Sequence, residues 1–386
     1  MKTEKGKFIV SGMLMVIVIL FSGSLVVQAA DIVKIGVLGP MTGGAAIVGI
    51  DQLRGIQVGA NEVNDRGGVK AGNKFYKVEI IDMDDGAVAA NSVANARRMV
   101  ALHKVSVILG PPISSCVFAI MQFNEEKGKE FLINTMAMHP DITKRGNKLI
   151  VRHTCPTDLV RQMVEAMVKL KKQKSAAIIH HTDDWGMNWK NGILDALKEM
   201  GGKVTTIEGI DERKQTDFYP QLTKIVKTNP DGIFIVAHEG AGTIMIKQVR
   251  EIGYKGRLLF TEGFGEPGRK LVGTHLIEGC LFVANPQDLG KPNAKRYVEK
   301  FNKMFPNEMT QVYGCLAYTQ FGVIINAMEK AQNVKDPYKI REAVPKILPM
   351  SGYCFDIEKC GENGESPAPY VVGEMKRGKV IEAQPE

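Results

Sequence analysis

Two serines, Ser114 and Ser115, stand where the run Val105-Ser-Val-Ile-Leu-Gly-Pro-Pro-Ile113 gives way to a second apolar-periodic segment, Val117 to Phe123. The β-branched run reads as a buried strand of a parallel sheet, and Gly110-Pro-Pro112 stops it. Hydroxyls at the start of the following helix, together with its unbonded N–H groups, suit an anion such as a carboxylate. The same serines would equally serve as an ordinary helix cap. Other residue types at strand ends extend the chemistry. Glu262 follows the strand Arg257–Thr261 and can pair an ammonium group. Trp185 opens a helix and offers a flat apolar or cation-binding face. Met138 is flexible and apolar.

These positions need a scaffold that brings strand ends together, and the chain supplies one. A strand over Ile32–Leu38 leads through Gly39-Pro-Met-Thr-Gly-Gly44 to a helix from about Ala45 to Asp65, ended by Gly67-Gly68. Then come strand Lys77–Asp82, a helix over about Ala87–His103, the strand before Ser114, a helix to about Lys129 and strand Glu130–Asn134. This β-α-β-α pattern predicts a doubly wound parallel sheet. Near Leu149–Thr157 the rhythm changes and Pro156 follows, which marks a crossing into a second lobe. There the pattern restarts with strands at Ser175–His180, Lys203–Glu208, Asp231–Val236 and Arg257–Thr261, each with a helix between. Around Gly279–Pro286 the chain crosses back, and helices over about Ala294–Phe305, Cys315–Lys330 and Pro337–Leu348 complete the first lobe. The tail is expected to hold two short strands around Gly361-Glu-Asn-Gly364.

Lys2, Lys5 and Lys7 precede a nearly continuous apolar run, Phe8 to Phe21, and then Val27-Gln-Ala29. This is the pattern of a cleavable secretory signal peptide over residues 1–29. The apolar run is shorter than the ~20 residues a membrane span needs. The net charge is +8, and three Lys and one Glu lie in residues 1–29, so the exported chain carries about +6. Its charges are interspersed, which excludes a nucleic-acid-binding block. Export permits disulfides. Of Cys116, Cys155, Cys280, Cys315, Cys354 and Cys360, the pair expected to bond is Cys354 with Cys360, which bracket a short loop. No C-x-x-C pair occurs, so a zinc site has no support. His180-His181 with Asp183 and Asp184 read as a strand end and a helix cap rather than a metal site, because adjacent strand residues face opposite ways. The loop after the first strand lacks G-x-G-x-x-G, and neither G-x-S-x-G nor a phosphate-binding P-loop is present. A nucleotide-dependent enzyme is therefore not expected, and neither is a cofactor.

The series Ile35-Gly-Val-Leu-Gly-Pro-Met-Thr-Gly43, Asn64-Asp-Arg-Gly-Gly-Val69, Asp82-Met-Asp-Asp85, Ile108-Leu-Gly-Pro-Pro-Ile-Ser-Ser115, His139-Pro-Asp-Ile-Thr143 and Ile179-His-His-Thr-Asp-Asp-Trp-Gly186 resembles the periplasmic solute-binding proteins of ABC transporters, specifically the branched-chain amino acid (Leu/Ile/Val) receptor family. The resemblance implies a type I periplasmic-binding-protein fold: two α/β lobes, each a parallel-sheet sandwich, joined by three hinge crossings. Lobe 1 would comprise residues 30–153 and 285–348, and lobe 2 residues 154–284 and 349–386. It implies a monomer in the periplasm that performs no chemistry, closes around a small solute and presents it to a membrane permease.

Site positions carry over residue by residue. The serine that holds a ligand carboxylate falls on Ser114, with Ser115 beside it. The lobe 2 acid that holds an α-ammonium falls on Glu262. A Thr or Ser that usually contacts both charged groups is replaced by Met138, and Met136 takes a nearby backbone-contact place. Aromatic walls fall on Trp185 and on His238. An aromatic expected early in the first helix is absent near Val48. A carboxylate ligand with a sizeable apolar or aromatic body follows, with or without an α-amino group. A ligand-sensing subunit of the same fold, reporting to a membrane receptor, is the alternative function.

Overall fold

The computed structural model describes residues 31–154, 158–261 and 265–385. The signal-peptide assignment, Cys155 and Glu262 fall outside the described residues. In chain order the first lobe runs β1 (Asp31–Gly39), α1 (Ala46–Asp65), β2 (Val69–Ala71), β3 (Lys74–Asp84), α2 (Ala89–His103), β4 (Val107–Leu109), α3 (Ser114–Ile120), β5 (Leu132–Thr135), α4 (Asp141–Lys144) and β6 (Ile150–Arg152). The second runs α5 (Leu159–Glu165), β7 (Ser175–His181), α6 (Asp184–Glu199), β8 (Lys203–Ile210), α7 (Tyr219–Lys227), β9 (Gly232–Val236), α8 (Glu239–Glu251), β10 (Arg257–Phe260), α9 (Glu266–Val272) and β11 (Leu281–Ala284). The chain then returns through α10 (Pro292–Met304), α11 (Val312–Ala331) and α12 (Pro337–Ala343), and ends in β12 (Val371–Lys376) and β13 (Lys379–Glu382).

The strands form two sheets, ordered β2-β3-β1-β4-β5-β6 and β13-β12-β11-β10-β9-β7-β8. Pairing between the strands is parallel except for the hairpins β2–β3 and β12–β13 and the antiparallel pair β11–β12. Helices cover both faces, so β4, β7 and β9 are buried at every position, which explains the unbroken apolar sequences of β4 and β9 and the apolar centre of β7, Ala176–Ile179. Each sheet has one point where consecutive strands lie on opposite sides of its first strand. That point is between β1 and β4 in the first sheet and between β7 and β9 in the second. The carboxyl ends of strands at such points open a crevice where ligands bind.

α11 packs so closely on α1 that a Cβ on Gly55 would lie 2.2 Å from the Gly314 carbonyl oxygen. Asp51, buried on α1, fixes this crossing by accepting from Thr310 Oγ1 (2.8 Å), the Gln311 N–H (3.0 Å) and the Gly314 N–H. Those groups include orphan donors at the start of α11, so an acid on one helix caps another. No helix among the described residues is long and apolar enough to cross a membrane.

Three expectations are corrected. The Gly361–Gly364 turn does not join two tail strands. It lies against β6, where the Arg152 N–H donates to the Gly364 carbonyl and the Ser366 N–H to the Arg152 carbonyl. The strands follow later, joined at Arg377-Gly378, both with positive φ as a two-residue hairpin turn requires. Consequently residues 349–368 pack with the first lobe, not the second. Finally, Cys354 and Cys360 are free thiols. Backbone pairing of Met350 with Ile357 closes that loop and turns Cys354 into the core, where its sulfur is hydrogen-bonded to Cys315, while Cys360 Sγ faces the Gly361 carbonyl.

Candidate ligand-binding site

A narrow crevice, partly open to solvent, lies between the sheets. Its walls come from strand ends of both lobes. Ile113 and Ser114 follow β4, Met136 and Met138 follow β5, Asp183 and Trp185 follow β7, and His238 follows β9. Val312, Tyr313 and Leu316 from the first turns of α11 close one side. Thr154, Val283 and Tyr370 line it from the three crossings.

The loop after β4 is fixed by its backbone. Gly110 has φ +98, and a Cβ there would meet the Leu38 carbonyl oxygen at 2.1 Å, so only glycine fits. Gln52 donates from Nε2 to the Leu109 carbonyl (3.1 Å), and Thr135 donates to the Pro111 carbonyl (2.5 Å). Ser114 is not the helix cap, since Ile113 takes that position and makes no side-chain cap bond. The Ser114 hydroxyl instead accepts from the His139 N–H at 3.3 Å. One lone pair is used there, and the hydroxyl proton is left to donate toward the cleft. Ser115 is half-buried and lies outside the cleft lining.

The loop carrying Met136 and Met138 is held from beneath. The Arg152 side chain, 0% exposed, donates from Nη1 to the Met138 carbonyl (2.7 Å), and from Nε and Nη2 to Glu365 (2.9 and 2.6 Å). A guanidinium fork engaged by a carboxylate on one edge and a carbonyl on the other sets that loop's position.

From the second lobe, Asp183 caps α6 by accepting from the Gly186 N–H (2.8 Å), as expected of the Thr182-Asp-Asp184 stretch. This places the Trp185 ring across the crevice, where Nε1 donates to Met138 Sδ at 3.1 Å. The His238 ring packs against Trp185, with ring centroids 4.9 Å apart and planes tilted by 34°. Five expected positions, Ser114, Met136, Met138, Trp185 and His238, therefore surround one space.

Sequence reasoning missed Glu212, in the loop after β8. It accepts from the His238 backbone N–H at 3.0 Å and pairs with His238 Nδ1. Burial pushes the Glu212 carboxyl up, but the neighbouring His238 and His181 outweigh it and hold the group below its usual range. His181 accepts the Asp183 N–H at Nδ1 (3.0 Å), and burial holds its own value down. Tyr313 and Tyr370 were also missed, and they supply aromatic surface that the early part of α1, with Val48, does not.

The geometry agrees with what the chain is similar to. A family model described as "Periplasmic binding protein" matches residues 32–379. The chain is 26% identical over 319 residues to the leucine-, isoleucine-, valine-, threonine- and alanine-binding protein of Pseudomonas aeruginosa, covering 82% of this chain and 83% of that one. It is 25% identical to the Leu/Ile/Val-binding protein of Escherichia coli, covering 87% of each. A leucine-binding protein from Thermotoga maritima superposes with a TM-score of 0.77 at 26% identity, over 91% of this chain and 97% of that one. A Rhodopseudomonas palustris solute-binding protein in complex with benzoate shares the fold, with a TM-score of 0.79 at 18% identity, over 92% of this chain and 97% of that one. With the paired doubly wound sheets and the crevice between them, the match over nearly all of the described chain makes this protein a member of the periplasmic binding protein family, of the type found with branched-chain amino acid ABC transporters.

Proposed function

We propose that this protein is an exported receptor that captures a small carboxylate in its interlobe cleft and delivers it to an ABC transporter permease. The ligand is an amino acid or an aromatic or apolar carboxylate. The observation that carries this reading is the lining of the cleft, where apolar and aromatic side chains dominate and Ser114 stands with a hydroxyl proton to donate. An aromatic body of about 150 Å² contributes about 4 kcal/mol on burial, and a hydrogen bond to its carboxylate about 1.5–3 kcal/mol. Apolar contact therefore supplies most of the affinity, and the polar groups fix orientation. Ligand bound to surfaces from both lobes favours the closed arrangement over the open one. Pairing of an α-ammonium by Glu262 belongs to this proposal for amino-acid ligands.

The test is mass spectrometry of small molecules released by denaturing the purified protein, followed by calorimetric titration of each candidate. A released amino acid or aromatic acid that rebinds supports the reading. A released nucleotide cofactor, or failure of every carboxylate in an amino-acid and aromatic-acid panel to bind, overturns it.

A further inference from the structure

A carboxylate brought into this cleft needs compensating charge, because an unpaired anion is costly in an apolar, half-enclosed space. Among the described lining residues there is no Lys and no Arg, and His238 is the only side chain able to carry a positive charge. Its setting is built for that. Glu212 engages both the backbone N–H and Nδ1 of His238, and its side chain is only 5% exposed. A buried carboxylate on Nδ1 orients the ring and stabilises its protonated form. The same pairing holds the imidazole against Trp185.

We propose that Glu212 is a positioning residue that holds His238 as an imidazolium in the cleft wall, and that this charge, with the Ser114 hydroxyl, selects carboxylate ligands. The proposal rests on the reading of the cleft as a carboxylate site. The other groups facing His238 are consistent with it. His181, 6.2 Å away ring to ring, has its proton affinity lowered by burial and turns Nε2 toward Asp211 (3.7 Å) and Glu212 (3.8 Å). Asp183 sits 3.5 Å from the far nitrogen of His181. Arg213 is occupied by Asp211 at 3.0 Å, and Glu239 is the next residue on α8. The acids around the two histidines thus outnumber the cations, which favours a proton on His238. Affinity should consequently fall as pH rises and His238 loses its proton.

The experiment is titration of benzoate and of leucine, by calorimetry, from pH 5 to 9, with wild type, Glu212→Gln and His238→Gln. For whichever probe binds, wild-type affinity is expected to weaken toward pH 9. In Glu212→Gln the weakening should begin at least one pH unit lower, giving about tenfold weaker binding at pH 7.5 and near wild-type binding at pH 5. His238→Gln should bind weakly and without pH dependence. A merely structural role for Glu212 would weaken binding equally at every pH, and that result overturns the proposal. So does a flat wild-type profile. Glu212→Asp is the second variant if Glu212→Gln does not fold, and it should give an intermediate shift. If wild type binds no carboxylate at any pH, the functional reading itself has failed.

Discussion

Trp185 on the second lobe donates its indole N–H to the thioether of Met138 on the first, 3.1 Å away. Sulfur is a weak acceptor, so the bond adds little strength, but the contact spans the cleft and sets how near the two walls stand. It also marks where this chain departs from the pattern it resembles. A hydroxyl in the Met138 position could serve a ligand's charged groups, whereas a thioether serves an indole and an apolar body.

Met138→Thr should therefore move selectivity toward α-amino acids. The introduced hydroxyl can accept from an ammonium group, and the lost methyl and sulfur reduce contact with an aromatic ring. Leucine affinity relative to benzoate should rise about tenfold, a difference of about 1.4 kcal/mol. Competition titrations followed by Trp185 fluorescence measure the ratio. An unchanged ratio would mean that Met138 does not face the ligand's polar end.

Ser114→Ala removes a hydroxyl that is already anchored by the His139 N–H and so needs no reorganisation to donate. Hydrogen bonds to a charged group contribute about 1.5–3 kcal/mol, so carboxylate ligands should bind about 10- to 100-fold more weakly. The thermal midpoint without ligand should change little. If Ser114→Ala leaves affinity for every carboxylate unchanged, the assignment of Ser114 is wrong.

The parts legible in the sequence were those with local causes. β4 and β9 are covered on both faces and are continuous apolar runs, and β7 is one over Ala176–Ile179. Ser114, Trp185 and His238 were legible because each follows such a run directly. Short strands at the crossings were not: β6 and β11 have three and four residues and look like extended linkers. Glu212 was illegible because its role is set by His238, 26 residues away and on a different loop. The Cys354–Cys360 expectation failed for the same reason in reverse. Nearness in sequence counted for less than the inward turn of Cys354 toward Cys315.

Glu365→Ala should be among the most destabilising surface-accessible changes in the molecule. Glu365 is 20% exposed, but it neutralises an Arg152 side chain that is fully buried, and it also accepts from Thr143 Oγ1 at 2.7 Å. Removing one partner of a buried pair leaves an uncompensated charge and costs about 3–5 kcal/mol. For a chain of this size the midpoint should fall by roughly 4–7 °C. Because Arg152 also holds the Met138 carbonyl, ligand affinity should drop even in conditions where the variant is folded. Calorimetric scans with and without ligand separate the two effects, and an unchanged midpoint would show that Arg152 is solvated despite its burial.

Asp51 gives a prediction in pH. Burial raises its carboxyl to about 7, against the opposing pull of the Gly314, Thr310 and Gln311 donors. The native state therefore retains a proton that the unfolded chain, with a carboxyl near 4, has already released. Stability from this group is fully present below about pH 4, is lost progressively as pH rises, and is gone above about 7, at a rate approaching 1.4 kcal/mol per pH unit. Asn in its place keeps one oxygen for the Gln311 and Gly314 N–H groups and offers an amide N–H₂ to Thr310, which can turn its hydroxyl. The Asp51→Asn protein should thus fold, and its stability should lack this dependence. The wild-type midpoint minus the variant midpoint should fall steadily from pH 4 to 7 and level off above it. A difference that instead grows with pH would mean that the three donors outweigh burial and that Asp51 caps α11 as a carboxylate.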